Sequence, residues 1–388
     1  MIFHEKCVIL GIFCSTDLCK TAQMFLEKIY LSNFKNYEEA NFTFSKQVNC
    51  IVGENGSGKT NLLDAVYFLA LSKSAVHSQD ALSINHDADV MMIDGIFKKY
   101  KKKHQITCSI QRGQKKVLMH DKKPYERIAD HIGQFPVVLI APNDTELIKE
   151  GSEDRRRFFD GVLSQMDAAY LADYQQYNRL LEQRNSLLRI FFERNFLDQD
   201  LLDTYSDPLV KLAEKIFEQR KSFIEKFLPI FKIHYSILSE GREDVDIIYE
   251  SEVGSGEFPQ EFRLNRNVDV KAQRTTRGIH KDDYVFEIDR YPVKKFGSQG
   301  QQKSFVMALR LGQFEMLQEL REIKPILLLD DIFDKLDDRR IQKLIESIDN
   351  QTFGQVFITD ARPERTEKIL ENVKAEVNYI RINPSASK

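Results

Sequence analysis

The sequence predicts an α/β fold built around a nucleotide-binding sheet, with a large segment inserted into it. Three observations lead to this prediction: a glycine-rich loop that begins at Gly53, an apolar strand that ends in Asp330 and Asp331, and the 277 positions between Gly53 and Asp330. Such elements need far fewer residues between them in a minimal nucleotide-binding domain. We therefore expect the chain to leave the sheet, form a second lobe and return to complete the sheet.

Length and composition exclude several classes of protein. The chain has 388 residues, is 42% hydrophobic and contains 27 phenylalanines, so it can bury a large core and is not a disordered protein. It lacks the run of about 18 apolar residues that a membrane-spanning helix needs. Its five cysteines give neither a disulfide framework nor a metal-ligand spacing. We expect a cytoplasmic protein in which residues 1–23 are a non-essential extension and Met24 is the functional start.

The glycine-rich loop matches the phosphate-loop pattern G-x-x-x-x-G-K-[ST], with a strand-like segment before it and an apolar-periodic helix after it. Glycines allow backbone N–H groups to surround phosphates, and the helix N-terminus adds a positive partial charge. Lys59 is expected to contact the β- and γ-phosphates of ATP and to support catalysis, while Thr60 is expected to bind Mg²⁺. The predicted nucleotide-binding residues here are Gly53, Glu54, Asn55, Gly56, Ser57, Gly58, Lys59, Thr60 and Asn61.

The late strand, Ile326 to Leu329, has the continuous apolar character of a strand buried on both faces of a parallel sheet. At its end, Asp330 is placed to hold Mg²⁺ through water, and Asp331 to orient or deprotonate the attacking water. The alternative is that the two aspartates only cap the next helix.

Ser298-Gln299-Gly300-Gln301 opens a long helix shortly before that strand and resembles the signature loop of ABC-type ATPases. A serine hydroxyl with exposed N–H groups at a helix N-terminus can hold a second anion. The resemblance implies that Ser298, Gly300 and Gln301 reach the γ-phosphate bound to another subunit. It also places Asp337 in the superfamily's D-loop and Asp360, instead of a histidine, at the switch position.

These motifs, in this order and spacing, resemble the RecF family of bacterial recombination and repair ATPases. Further segments that carry the resemblance are 31–37, 139–144, 155–160, 183–185 and Arg277-Gly278-Ile279-His280-Lys281-Asp282-Asp283. The resemblance implies an ABC/SMC-type P-loop ATPase head with a helical arm, dimerising on ATP and Mg²⁺. It further implies binding to single- and double-stranded DNA at gaps, and cooperation with RecO and RecR in loading RecA, in support of replication and the SOS response. Asp331 in place of a glutamate suggests slow, DNA-stimulated hydrolysis.

The charge distribution points to an anionic partner. Residues 98–127 contain eleven basic and two acidic residues, a net charge of +9, whereas the rest of the chain carries −12. Tight turns are predicted at Arg112-Gly113-Gln114 and His120-Asp121-Lys122. Lysines near such hairpin turns suit phosphate contacts that do not read sequence. The predicted DNA contacts are Lys101, Lys102, Lys103, Arg112, Lys115 and Lys116. The alternative is a pair of solvated strand edges that lysines protect from aggregation.

The inserted segment is predicted to be helical. Apolar residues recur between Tyr170 and Phe191 at helical spacing, interrupted only by Arg184, and form the apolar seam of one helix. A second apolar seam runs from Leu209 to Phe227. Its helix is expected to begin at a Ser206-Asp207-Pro208 cap and to end before Pro229. We predict a head of 24–160 plus 277–388, with a basic β-hairpin region at 90–130, and an inserted arm at 161–276. An ordinary helical subdomain would contain the same residues.

Two other classes of function fit parts of this pattern. One is an ATPase subunit of a transporter or ribosome-associated factor, and the other is an SMC-like ATPase of another DNA-maintenance or defence system. The interrupted head and the basic hairpins argue against the first, and the lack of a nuclease carboxylate cluster after the head argues against a nuclease-associated form of the second. DNA-stimulated ATP turnover would separate a DNA-dependent ATPase from a transporter subunit.

Overall fold

A computed structural model describes residues 7–9, 12–14, 23–334, 338–350, 352–371 and 373–382. The chain forms two compact units, one of Met1–Asp144 with Leu309–Lys388 and one of Thr145–Ala308. In the described ranges, none of the helices has the length and apolar character required to cross a membrane.

The secondary structure is mixed, with strands concentrated in the first unit and long helices in the second. In chain order the strands are β1 Cys7–Ile9, β2 Ile12–Cys14, β3 Met24–Phe34, β4 Tyr37–Thr43, β5 Val48–Val52, β6 Val90–Lys99, β7 Lys102–Gln111, β8 Val117–His120, β9 Lys123–Pro124, β10 Val137–Ile140, β11 Val245–Glu250, β12 Asp283–Ile288, β13 Tyr291–Pro292, β14 Ile326–Leu329, β15 Val356–Asp360 and β16 Val377–Arg381. The helices are α1 Lys59–Leu71, α2 Glu146–Lys149, α3 Ser152–Met166, α4 Ala168–Arg194, α5 Gln199–Ser239, α6 Phe258–Leu264, α7 Arg266–Ala272, α8 Val293–Phe296, α9 Gln299–Arg321, α10 Asp338–Asp349 and α11 Pro363–Leu370.

A five-stranded parallel sheet, ordered β10-β14-β15-β5-β16, organises the first unit. Strands β5, β14 and β15 are buried at every position, as expected for a parallel sheet covered on both faces. The predicted apolar strands are therefore confirmed. Because β5 and β14 flank β15 and all three run in parallel, the loop after β5 and the aspartates after β14 leave the same edge of the sheet.

The basic region lies in a six-stranded antiparallel sheet, ordered β4-β3-β6-β7-β8-β9. The predicted turns are confirmed, with φ of 73° at Gly113 and of 49° and 66° at Asp121 and Lys122. A third turn joins β6 to β7 through Tyr100 and Lys101, with φ of 50° and 64°. The sequence did not reveal this turn, because neither residue type signals a positive φ.

Helices α4 and α5 form an antiparallel pair in the second unit, but α5 differs from the prediction. It begins at Gln199, with the Asp198 carboxylate accepting a hydrogen bond from the backbone N–H of Leu201 at 3.0 Å, and continues for 41 residues through Pro208 and Pro229. The predicted cap at Ser206 and the predicted end before Pro229 are therefore wrong. A proline inside a helix costs about 3 kcal/mol. This cost is offset because one buried apolar stripe extends across both prolines, at Leu202, Leu209, Ile216, Phe223, Phe227 and Phe231.

The second unit, Thr145–Ala308, extends beyond the predicted insertion of 161–276 at both ends. Arg220 of α5 is buried, and its guanidinium donates to Asp160 Oδ2 at 2.9 Å and to Asp282 Oδ2 at 2.8 Å. Arg155 of α3 forms a further ion pair with Asp283 of β12 at 2.8 Å. The pairs of Arg220 join the flanking segments to α5, and the pair of Arg155 joins α3 to β12, so both segments belong to the unit of Thr145–Ala308.

Candidate nucleotide-binding site

The phosphate loop lies between β5 and α1, and its backbone requires glycine. Gly56 and Gly58 have φ of +81° and +106°, in the left-handed region that other residues rarely adopt. A Cβ at Gly58 would also lie 2.5 Å from Asn36 Nδ2 and 3.0 Å from Tyr37 Oη. The loop is therefore packed directly against a neighbouring segment.

That segment is the turn between β3 and β4, and it holds the loop by hydrogen bonds. Asn36 Nδ2 donates to the carbonyl of Ser57 at 3.3 Å, and Tyr37 Oη donates to the carbonyl of Gly58 at 3.0 Å. Asn61 Nδ2 donates in turn to Asn36 Oδ1 at 2.7 Å. Carbonyls fixed in this way leave the loop's N–H groups to face an anion. Asn36 and Tyr37 carry no sequence signal for a role at this site, although both lie in a segment, 31–37, that carries the family resemblance.

Lys59 is buried, with 5% of its surface exposed, and its ammonium group lies across the loop. Nζ donates to the carbonyls of Gly53 at 2.9 Å and Glu54 at 3.0 Å. Phosphate oxygens are stronger partners for an ammonium group than neutral carbonyls, so a bound phosphate can replace them. The side chain is thus already in position for a triphosphate.

Thr60 and Asp330 meet as their separate motifs predict. Thr60 Oγ1 lies 3.1 Å and 3.2 Å from the two carboxylate oxygens of Asp330, and Thr359 Oγ1 donates to Asp330 Oδ1 at 2.7 Å. Burial raises the pKa of the Asp330 carboxyl. A bound cation would lower this pKa, because it favours the charged carboxylate. A hydroxyl and a carboxylate are hard oxygen ligands of the kind that Mg²⁺ prefers, so the donor set fits this ion.

Asp331 follows in a strained conformation, with φ of +43°. Its backbone N–H donates to Thr359 Oγ1 at 2.8 Å. Thr359 is fully buried, and its hydroxyl links the two predicted aspartates. It contacts the side chain of Asp330 and the backbone of Asp331. The sequence showed Thr359 only as part of a strand.

The acid at the switch position has a local structural role. Asp360 is buried, and its carboxylate accepts hydrogen bonds from the backbone N–H of Arg362 at 2.9 Å and from Thr366 Oγ1 at 2.5 Å. Both partners lie at the start of α11. Asp360 therefore stabilises the beginning of this helix.

The signature-like loop lies in the second unit and forms a reciprocal cap at the start of α9. Gln301 Oε1 accepts from the backbone N–H of Ser298 at 2.7 Å, and Ser298 Oγ accepts from the backbone N–H of Gln301 at 3.2 Å. Ser298 is exposed, and Gly300 follows it at the helix N-terminus. Since the phosphate loop belongs to the first unit, the two predicted anion sites lie in different units. Asp337 lies outside the described residues.

Residues 25–380 match the RecF/RecN/SMC N-terminal domain family. The DNA replication and repair protein RecF of Flavobacterium johnsoniae is 47% identical over 349 residues, which are 90% of this chain and 97% of that protein. This chain belongs to the RecF family. The protein of the same name from Cytophaga hutchinsonii is 46% identical over 343 residues, which are 88% of this chain and 91% of that protein.

Solved structures agree with this membership. A RecF structure described as the recombination mediator protein with ATP in the RecFOR pathway has a TM-score of 0.82 at 27% identity, over 93% of this chain and 98% of that chain. An Smc head domain with an extended coiled coil from Pyrococcus furiosus has a TM-score of 0.51 at 17% identity, over 93% and 94%, which shows a shared fold. The predicted ABC/SMC-type head is thereby confirmed.

Several side chains of the Arg277–Asp283 motif of this RecF-family chain make contacts within the second unit. Tyr177 Oη hydrogen-bonds to His280 Nδ1 at 2.8 Å, while Asp282 and Asp283 pair with Arg220 and Arg155. Burial lowers the pKa of His280 to about 4. In the second unit the motif therefore joins α3, α4 and α5.

The predicted DNA contacts fall into two groups at opposite ends of β7. Lys101, Lys102 and Lys103 surround the β6–β7 turn, whereas Arg112, Lys115 and Lys116 follow the far end of the strand. Ten residues of strand, at about 3.3 Å each, separate these ends by roughly 30 Å.

Several of these side chains also have partners within the chain. Lys103 Nζ pairs with Glu27 at 3.0 Å and remains 63% exposed, while Lys116 Nζ pairs with Asp80 at 2.8 Å and is only 13% exposed. Lys122 and Lys123 lie at the same end as Lys101, because β8 runs back along β7. They were not among the predicted contacts, since strand pairing and not sequence proximity brings them there.

Proposed function

We propose that this chain is a RecF-type ATP-dependent DNA-binding protein of replication and recombinational repair that acts in the cytoplasm. The observation that carries the proposal is the assembly, in one unit, of the phosphate loop, Lys59 and the Thr60–Asp330 pair at 3.1 Å. The curated RecF relatives, named as replication and repair proteins, and the solved RecF with ATP support it.

In the proposed ATP site, the loop N–H groups and Lys59 bind the phosphates. Thr60 and Asp330 would hold Mg²⁺, which would neutralise phosphate charge when bound. Asp331 would orient the attacking water from its fixed backbone position. An aspartate is one methylene shorter than a glutamate, so its carboxylate reaches less far towards the γ-phosphate and hydrolysis is slow, as suits a switch.

The ATP-bound state is proposed to be a homodimer. Ser298, Gly300 and Gln301 form an exposed, capped helix start in one unit, and Lys59 and Asp330 lie in the other. In the dimer, the Ser298 loop of one chain would contact the γ-phosphate held by the second chain. Nucleotide binding would then control association, and hydrolysis would release it.

The proposed DNA site is the lysine-rich end of the antiparallel sheet, where Lys101, Lys102 and Lys122 are exposed. Contacts of this type bind phosphates without reading bases, which suits single- and double-stranded DNA at a gap. The solved relative's place in the RecFOR pathway supports RecR and RecO as partners. Through these partners, the chain is proposed to assist the loading of RecA and to act in the SOS response.

A gel-shift titration on gapped duplex DNA tests the proposal, with ATP, ADP or no nucleotide. We expect the tightest binding with ATP, and ATP turnover that rises when DNA is added. Lys59→Met is the control, because it removes the ammonium group from the nucleotide site and leaves the lysine-rich surface unchanged. Equal affinity in all three nucleotide states, together with turnover that DNA does not change, would refute an ATP-dependent DNA switch.

A further inference from the structure

Two histidines and an aspartate converge at the lysine-rich end of the antiparallel sheet. Their ligand atoms, one each from His104, His120 and Asp121, all lie within 4.8 Å of one another. His104 belongs to β7, His120 ends β8, and Asp121 begins the turn to β9. We propose that these three residues form a binding site for a transition-metal ion of the zinc class. The proposal does not depend on the proposed function.

The separations suit a tetrahedral ion. His104 Nδ1 lies 2.9 Å from His120 Nε2, and His120 Nε2 lies 3.5 Å from Asp121 Oδ2. Zinc bonds of about 2.0–2.1 Å to nitrogen and oxygen place neighbouring ligand atoms about 3.3 Å apart in a tetrahedron. The two measured distances fall on either side of this value. The third pair of ligand atoms, from His104 and Asp121, lies within 4.8 Å, so side-chain rotation that brings these two closer would complete three ligand positions and leave the fourth for water.

A chain of hydrogen bonds fixes which nitrogen of His120 is available. His131 Nε2 must donate to the carbonyl of Leu69, 2.7 Å away, because a carbonyl only accepts. His131 Nδ1 then accepts from Tyr125 Oη at 3.2 Å, and Tyr125 Oη accepts from His120 Nδ1 at 3.3 Å. His120 Nε2 is thereby left with its lone pair directed towards His104. An imidazole held by a hydrogen bond on its other nitrogen is the usual arrangement of a metal-ligating histidine.

The aspartate is oriented in the same manner. The backbone N–H of Gln105 donates to Asp121 Oδ1 at 2.8 Å, and the backbone N–H of Asp121 donates to the carbonyl of Gln105 at 2.8 Å. These two bonds hold the carboxylate against β7 and leave Oδ2 on the side of His120. Without a metal, His104 Nδ1–H donates to His120 Nε2. With one, that proton moves to His104 Nε2, and both rings ligate as neutral groups.

The surrounding charge gives the site a distinctive salt dependence. Lys101, Lys102 and Lys122 are exposed at the same end of the sheet, and their positive charges disfavour a dication. Added salt screens this repulsion, so metal affinity should rise severalfold between low and high salt. Adventitious binding to scattered surface carboxylates would weaken under the same change.

The test is calorimetric titration of the tag-free full chain with ZnCl₂ after removal of metals by chelation. We expect one zinc ion per chain, with affinity at least tenfold weaker in both His104→Gln and His120→Gln. His86→Gln is the matched control, because His86 is an exposed histidine outside the cluster, and it should bind like the parent. Tyr125→Phe should weaken binding about tenfold to hundredfold, since it leaves His120 without its orienting partner.

X-ray absorption provides a second measurement of the zinc ligands. If a histidine variant fails to fold, X-ray absorption of the zinc-loaded parent chain still reports the ligands. Imidazole scattering with nitrogen and oxygen neighbours supports the site, whereas thiolate ligation assigns the metal to cysteines and overturns it. The proposal also fails if no saturable one-to-one binding occurs, or if the histidine variants bind like the parent.

Discussion

Replacing Thr359 with valine should impair both the stability and the ATP site of this chain. Thr359 is fully buried, and its hydroxyl donates to Asp330 Oδ1 at 2.7 Å while accepting from the Asp331 N–H at 2.8 Å. Valine keeps the shape of threonine and replaces the hydroxyl with a methyl group. The substitution therefore isolates the two hydrogen bonds.

The magnitude follows from these two contacts. A hydrogen bond to a charged group contributes about 1.5–3 kcal/mol, and leaving a buried N–H without a partner costs about 1–3 kcal/mol. Since the local structure relaxes, we expect the free energy of unfolding to fall by about 2–4 kcal/mol. The pKa of Asp330, already raised by burial, should rise further and weaken Mg²⁺ binding. The backbone of Asp331 would also lose its anchor, so ATP turnover should decrease.

Urea denaturation and Mg²⁺-dependent ATP turnover provide the measurements. Thr359→Ser is the matched control, because it keeps the hydroxyl and loses only a methyl group, at a cost of about 1 kcal/mol. Serine should retain most of the turnover, and valine should not. If valine proves as stable and as active as serine, the hydroxyl does not hold the two aspartates and the reasoning is wrong.

Three further predictions concern the dimer, the DNA surface and the second unit. Ser298→Arg should abolish ATP-dependent dimerisation, as measured by light scattering. Lys59→Met should weaken ATP binding about tenfold to hundredfold, because it removes a charge-assisted contact. Mixing the two variants should restore some ATP turnover, whereas a mixture that stays inactive although both chains are folded would argue against a site shared between subunits. Lys101→Ala with Lys102→Ala should reduce the slope of log affinity against log salt for DNA by about 0.9 per lysine, and an unchanged slope would move the DNA site elsewhere. Because burial lowers the pKa of His280 to about 4, the unfolded chain takes up this proton first as the pH falls, so His280 loses stabilising free energy between about pH 6.5 and pH 4. The difference in unfolding free energy between the parent and His280→Gln should therefore shrink by about 2 kcal/mol from pH 7 to pH 5 in urea denaturation, whereas parallel pH curves would show that His280 titrates normally.

The sequence was sufficient where function depends on contiguous residues. The phosphate loop, the strand before Asp330 and the turn at Asp121 all follow from local patterns of glycine, apolar runs and turn residues. The parallel sheet then brings Thr60 to Asp330 across 270 positions, as the two motifs together predicted.

It was insufficient where the decisive contact is tertiary. Asn36, from a turn, and Thr359, from another strand, each support the site through two hydrogen bonds, and no periodicity marks them. Pro208 misled the prediction because burial of the apolar stripe outweighs the local penalty of a proline in a helix. Arg184 interrupts the apolar seam, yet it is fully buried and pairs with Asp269 at 2.8 Å, a partner that the sequence alone could not identify.

The ion pairs of Arg220 decide how this chain can be recombined with its relatives. A chimera cut at residues 161 and 276 would take Arg220 from one parent and Asp160 and Asp282 from the other. A foreign backbone that displaced both carboxylates would leave a buried guanidinium without a counter-ion, a defect of about 3–5 kcal/mol, and displacing one would remove part of that stabilisation. Crossover points at residues 145 and 308 keep all three residues from a single parent. The transferable module is therefore larger than the visible helical pair, and domain exchange within the family should succeed or fail according to these boundaries.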